Sequence, residues 1–228
     1  AEHLKTIFTS SFQYSYNPVT FIFYALQYQL FGINSTGFHM VNILLHLANT
    51  LLVFRLAFLL SKKKVIGIIT ATLFALHPIQ ADVIGWASAQ NYLLATFFYL
   101  LSVILYIQHL TLTSSKNTRL FLSLLFFALA CLSKSQAVTL APLILLLNWI
   151  YRAKYNPTLI LKVSGFFIIA LITGLLTIFF RSDFGKTEII PAYTLLEKAC
   201  VISFSLIRYV YKVFFPVGLT AIEAFPGR

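Results

Sequence analysis

The chain has 228 residues, of which 59% are hydrophobic, 16% aromatic and 10% charged, against about 45–50% apolar and about 25% charged in an ordinary soluble domain. That composition excludes a soluble globular protein, and apolar runs that are continuous, with no period-two alternation, exclude an outer-membrane barrel. The net charge of +11 would suggest nucleic acid in a soluble protein, but the positions of the basic residues favour membrane topology instead.

Residues 1–37 are polar at the start, open on Ala1 and carry no charged, apolar, cleavable signal. The chain therefore reads as a piece of a longer one. Within this stretch 18–31 (PVTFIFYALQYQLF) begins with a proline suited to a first helical turn and ends at Gly32, a C-cap residue. With Gln27 and Gln29 set among aromatics it predicts an interfacial helix ahead of the first span.

Apolar runs follow at 38–60, 65–79, 90–109, 119–133, 137–151 and 158–180. They predict a six-span core over 38–194. Lys62, Lys63, Lys64, Lys116, Arg119, Arg152, Lys154 and Lys162 fall in alternate loops with no acid among them. The opposite loops carry Asp82, Lys134 and a balanced Arg181, Asp183, Lys186 and Glu188. This is the positive-inside pattern, and it puts the Lys62–Lys64 side in the cytoplasm. The runs 65–79, 119–133 and 137–151 are short for a straight crossing, which takes about 20 residues. The polar turns beside them, His77-Pro78 and Ser133-Lys134-Ser135-Gln136, are thereby placed at a membrane–water boundary inside the bundle. The last segment, 195–228, opens with an amphipathic stretch in which Glu197, Ser205, Arg208 and Lys212 recur at helical spacing before Pro216. It either spans with one face on a cavity or lies flat on the outer surface.

The polar residues inside these runs are the candidate functional groups. His39, Asn42, His46 and Asn49 step by 3, 4 and 3, within roughly 80° of one helical face. They form either one wall of a polar cavity or the hydrogen bonds that hold helices together. No carboxylate or Cys accompanies His39 and His46, which argues against a metal centre. Asp82, in the His77-Pro78-Ile79-Gln80-Ala81-Asp82 turn leading to Trp86, suits a general base or group positioning an acceptor hydroxyl, or an N-cap. Lys134 is a cation where orientation rules disfavour one, beside Ser133, Ser135 and Gln136. It is suited to hold a lipid-linked phosphate, or a headgroup without turnover. Arg181 is a second phosphate ligand or a helix-end anchor. Cys131 and Cys200 both sit in apolar runs and make no disulfide framework.

The strings YNPVTFIFYALQYQLFGINSTGFHMVNILLHLANTLLVF (16–54), FALHPIQADVIGWAS (74–88) and LSKSQAVTLAPLILLLNW (132–149) resemble, in order, blocks of the GT-C glycosyltransferases. The closest resemblance is to the branch fused to tetratricopeptide repeats, which includes O-mannosyltransferase-like proteins. The resemblance implies an all-α, integral-membrane helix bundle that uses a polyprenyl-phosphate-linked sugar as donor substrate, without a covalently bound cofactor. It implies transfer of mannose or a similar hexose to a protein or glycan hydroxyl at the outer or lumenal face, in a bacterial inner membrane or the endoplasmic reticulum. Lys134 and Arg181 match donor-phosphate residues. His77, Asp82 and the His39–Asn49 face match the family's blocks, and Gln80, Trp86, Gln90, Ser133 and Gln136 join the expected cavity lining. Relatives usually carry an arginine and an acid where this chain has Gln90 and Tyr92, and an acid where it has Ser135. The family's main acidic base lies in a first outer loop, expected upstream of Ala1. Two rival readings are a noncatalytic GT-C-like module that binds lipid or protein, favoured by those lost charges, and a secondary transporter, for which no inverted repeat is visible.

Overall fold

A computed structural model describes residues 16–112, 116–151, 157–182 and 194–217. Among these residues the chain is helical, in nine α-helices and two 3₁₀ turns. Helix α1 is Pro18–Phe31, α2 Ser35–Ser61, α3 Lys64–Leu76, α4 Gln80–Gly85 and α5 Gln90–Thr111. Helix α6 is Lys116–Ser133, α7 Leu140–Ile150, α8 Pro157–Ser182 and α9 Leu195–Phe214. The 3₁₀ turns, Ala87–Ala89 and Ser135–Thr139, lead into α5 and α7.

Four segments are long and apolar enough to cross a bilayer: Ser35–Ser61, Ala87–Thr111, Lys116–Ser133 and Leu159–Phe180. The run expected at 119–133 gains a turn at its start and reaches crossing length. The runs at 65–79 and 137–151 stay short. Helix α3 has 13 residues, about 20 Å at 1.5 Å per residue against a hydrocarbon core about 30 Å thick. It stops at Leu76 because Pro78 disfavours helical backbone at His77, which is extended at φ −66°, ψ 126°. Helix α7 has 11 residues and is extended backward by the Ser135–Thr139 turn.

The core forms where α5, α6, α7 and α8 meet. Tyr106, Phe127, Leu140, Ile144 and Phe166 are fully buried there, and the Tyr106 and Phe166 rings cross edge to face at 5.4 Å. Helices α5 and α6 are tied by reciprocal serines: Ser102 Oγ donates to the Ser123 carbonyl at 2.7 Å and Ser123 Oγ to the Ser102 carbonyl at 2.8 Å. The outward faces are apolar, with Leu44, Leu51, Ile69, Leu73, Leu171 and Leu175 exposed. A lipid solvent requires that surface and water would not tolerate it.

Helix α9 begins with a complete capping box between Thr194 and Glu197. Its apolar residues Leu196, Ile202, Leu206 and Tyr209 are exposed, while Glu197, Ser205 and Arg208 are half-buried and Lys212 is buried. The Val213 carbonyl, which accepts from His77 Nε2 at 2.8 Å, links this helix to the end of α3. By composition α9 is not among the four crossing segments.

Candidate functional site

The end of α3 and the 77–90 segment leave backbone groups outside regular helix, and at membrane depth such groups need partners inside the protein. Helix α2 supplies them. His46 Nε2 donates to the Ala75 carbonyl at 3.2 Å, Asn42 Nδ2 to the Ile84 and Trp86 carbonyls at 3.2 Å each, and Asn49 Nδ2 to the Leu93 carbonyl at 3.0 Å. The polar stripe is thus a rack of donors for a broken chain. Asn42 and Asn49 are fully buried and His46 nearly so, which replaces the expected cavity wall at Asn42 and His46 with interhelical hydrogen bonding. His39, at the start of the stripe, is half-buried.

Gln90, expected to line a cavity, is also fully buried. Its Nε2 donates to Asn42 Oδ1 at 2.8 Å and to Gln27 Oε1 at 3.2 Å, and its Oε1 accepts from Gln27 Nε2 at 2.6 Å. Side-chain amides suit this, because each offers both donor and acceptor and can chain without a charge. Trp86 is half-exposed, and its carbonyl serves as the Asn42 acceptor.

Helix α1 grips the same region with one stripe. Thr20 Oγ1 donates to the Ser133 carbonyl at 3.0 Å, Tyr24 OH to the Ala87 carbonyl at 3.1 Å, and Gln27 reaches Gln90. The spacing of four and three residues puts all of them on one helical face. Burial pushes the Tyr24 hydroxyl up to about 12, so it remains a donor at any physiological pH. Just ahead of α1, Tyr16 stacks on Phe180 at 4.5 Å. Tyr16 and Thr20 therefore bring together the chain neighbours of Arg181 and Lys134, the two residues expected at a donor phosphate. The Arg181 side chain lies outside the described residues, as do Asp183, Lys186 and Glu188.

Lys134 sits between α6 and the Ser135–Thr139 turn in extended backbone, φ −157° and ψ 126°. Its amide donates to the Ala130 carbonyl at 2.9 Å and its carbonyl accepts from Ala137 at 3.0 Å, so the origin of its side chain is fixed on both sides. The ammonium stands 3.5 Å above the Tyr92 ring centroid, a cation–π contact. Both residues line a cavity of about 380 Å³ with Thr96, Tyr99, Gln136 and Thr139. Lys134 is the sole charge among the described residues that line it. Of the residues expected from sequence, the structure thus brings Lys134 and Gln136 together. Ser133 instead donates its hydroxyl to the Leu129 carbonyl at 2.8 Å. Tyr92, Thr96 and Tyr99 were missed, although their spacing of four and three is a helical stripe.

His77 accepts from the Ile79 amide at Nδ1 and therefore carries its proton on Nε2, which donates to the Val213 carbonyl at 2.8 Å. It ties the broken segment to α9 in place of lining a cavity. Asp82 is exposed on the first turn of α4, where Ile79 holds the N-cap position without a side-chain bond. The capping role considered for Asp82 is therefore not the one it has: its backbone carbonyl accepts from Trp86 at 3.1 Å. Gln80 is half-buried at the start of the same helix. Among the described residues no group of three His, Cys, Asp or Glu comes together as a metal site would require.

The chain is similar to curated proteins named protein O-mannosyl-transferases. It is 24% identical over 220 residues to Protein O-mannosyl-transferase F38B6.6 of Caenorhabditis elegans, covering 94% of this chain and 31% of that protein. It is 25% identical over 182 residues to Protein O-mannosyl-transferase TMTC3 of Mus musculus, covering 72% and 19%. It is 29% identical over 161 residues to Protein O-mannosyl-transferase TMTC4 of Homo sapiens, covering 62% and 22%. The chain therefore spans less than a third of the length of these relatives. The similarity bears out the resemblance seen in the sequence blocks. No protein-family model and no solved structure matches the chain.

Proposed function

We propose that this chain is the membrane core of a glycosyltransferase that moves a mannosyl or similar hexosyl group from a polyprenyl-phosphate donor to a protein or glycan hydroxyl. The observation that carries the reading is the Lys134 cavity. An ammonium held at the end of a spanning helix, in a pocket rimmed by hydroxyls, suits a phosphate at a bilayer surface. The named function of the relatives supports the transfer. The basic loops of the sequence support a cavity on the side opposite the cytoplasm, which in this reading is the outer face of a bacterial inner membrane or the lumenal face of the endoplasmic reticulum.

In the transfer, the acceptor oxygen bonds to the anomeric carbon as the bond from that carbon to the phosphate oxygen breaks. The electron pair leaves on the lipid phosphate, and the hydroxyl proton passes to a carboxylate. Lys134, with Arg181, stabilises the charge that develops on the leaving phosphate. The main base of this reading is the carboxylate expected upstream of Ala1; among the described residues Glu197 is held in its capping box, and Asp82, exposed on α4, is the further candidate. The test is the full-length parent protein in lipid nanodiscs with radiolabelled polyprenyl-phosphate mannose and glucose, read for donor binding and for lipid phosphate released. Lys134→Ala is expected to weaken donor binding by about 10- to 150-fold, the value of one charge-assisted hydrogen bond. Unchanged turnover in that variant refutes the assignment.

One observation favours a second reading, a noncatalytic module that binds lipid-linked phosphate. Among the described residues, those lining the Lys134 cavity include no carboxylate. Donor binding without phosphate release in the same assay would select it.

A further inference from the structure

We infer that Tyr92 is a positioning residue: its ring face holds the Lys134 ammonium in place while leaving its charge and its outward N–H donors to a single phosphate anion. This rests on the reading of the cavity as a lipid-phosphate site and adds the means by which that site is kept ready.

A cation in a partly desolvated pocket needs a partner, and the chemistry of the partner decides what the cation can still bind. A carboxylate at contact distance would cancel the charge and occupy one or two N–H groups. The amide chain of Gln27, Gln90 and Asn42 is closed on itself and on backbone carbonyls. Tyr92 does neither. An aromatic face offers a quadrupole and no lone pair, so it attracts the cation without neutralising it. At 3.5 Å from the centroid the ammonium is in close contact with the ring, and a ring face on one side leaves the other sides of a three-donor ammonium open to an anion. The backbone at Lys134 is pinned from both sides, so the ring completes the placement of the last flexible part, the four-carbon stem.

The neighbours fit the same purpose. Tyr92, Thr96 and Tyr99 lie along one stripe of α5, and Lys134, Gln136 and Thr139 face them across the cavity. Tyr92 is half-exposed, so an anion approaching the ammonium meets the ring edge, its electropositive part. The site suits a phosphate anion set beside an apolar chain, the form of a polyprenyl phosphate headgroup.

The experiment uses the full-length parent protein in nanodiscs, with polyprenyl phosphate as the probe for binding. A second readout is carbon-13 spectroscopy of Lys134 after reductive dimethylation, which keeps its charge; its signal is assigned by its loss in Lys134→Arg. Tyr92→Phe keeps the ring and is expected to bind as wild type with the dimethyl-lysine signal still shifted upfield by the ring current. Tyr92→Leu is expected to lose the upfield shift and bind about 2- to 30-fold more weakly. Tyr92→Asp, which supplies a carboxylate, is expected to bind more weakly still. Equal binding by the Phe and Leu variants, with Lys134→Ala still impaired, overturns the positioning role and leaves the phosphate site standing. Wild type and Lys134→Ala that both fail to bind refute the phosphate site itself, and the role of Tyr92 with it.

Discussion

Replacing Asn42 with alanine separates a structural rack on α2 from a ligand-facing wall. Asn42 is fully buried, donates to two carbonyls at 3.2 Å and accepts from Gln90 at 2.8 Å. Interhelical hydrogen bonds in membrane proteins are worth about 0.6 kcal/mol on average, and buried ones in water-soluble proteins about 0.5–1.5 kcal/mol. Three such bonds give a loss of about 2–4 kcal/mol, toward the upper end because the stranded Ile84 carbonyl and Gln90 N–H have no water to turn to. The assay is reversible unfolding in mixed micelles, run as a double-mutant cycle with Gln90→Ala. Because the two side chains share a bond, the cycle is expected to show a coupling of at least about 0.5 kcal/mol. A wall that faces water would behave otherwise: stability would stay within about 0.5 kcal/mol of wild type, as at ordinary exposed positions. That result, or strict additivity with Gln90→Ala, refutes the rack. Loosening of the Trp86–Gln90 turn also reaches Tyr92, so the same variant is expected to weaken donor binding modestly through placement of the ring.

Two further perturbations test packing and chemistry. At Gly37 an added Cβ would lie 2.6 Å from Phe31 Cγ and 2.8 Å from its Cβ, atoms near the root of that side chain that cannot swing away. Gly37→Ala is therefore expected to destabilise by about 1–2 kcal/mol, since overpacking outweighs the gain in helix propensity. Gly85 has nothing within 4 Å, and Gly85→Ala is expected to be neutral or stabilising by up to about 1 kcal/mol; thermal unfolding of the two variants with the same sign would contradict the packing of α1 on α2. Asp82→Asn is expected to leave donor binding unchanged and to slow turnover by about 10²- to 10⁴-fold. Unchanged turnover removes Asp82 from the chemistry.

The spans were legible because lipid as solvent writes itself into the sequence as continuous apolar runs, and α1 because a proline and a glycine bracket it. Lys134 was legible from charge placement alone, as a cation on a side where orientation disfavours one. The role of the α2 stripe was not. A step of 3, 4 and 3 shows that Asn42, His46 and Asn49 share a face, but it cannot distinguish a backbone carbonyl from water as the partner. The answer depended on α3 being too short, which puts Ala75 at a helix end and leaves the 77–90 segment irregular, so that side chains of α2 reach the Ala75, Ile84 and Trp86 carbonyls. Tyr92 was hidden for another reason. It stands in a run rich in aromatics, beside Phe97, Phe98 and Tyr99, and only folding shows which ring meets a cation.

The short helices and the candidate site have one physical origin. A helix that ends inside a membrane leaves unpaired carbonyls and amides, and these must be met by side chains from neighbouring helices. Here α2 donates to carbonyls at 75, 84 and 86 and reaches one turn into α5 at 93, and α1 donates to carbonyls at 87 and 133. Residues 87 and 133 are also the points from which the chain runs on to Tyr92 and to Lys134. The hydrogen bonds that make two broken segments tolerable in lipid therefore also fix the distance between the ring and the ammonium. A continuous helix in place of either break would need no such partners. It would also leave Lys134 without a turn in which to stand at the membrane boundary, so the cost of the breaks is the condition for having a polar cavity there at all.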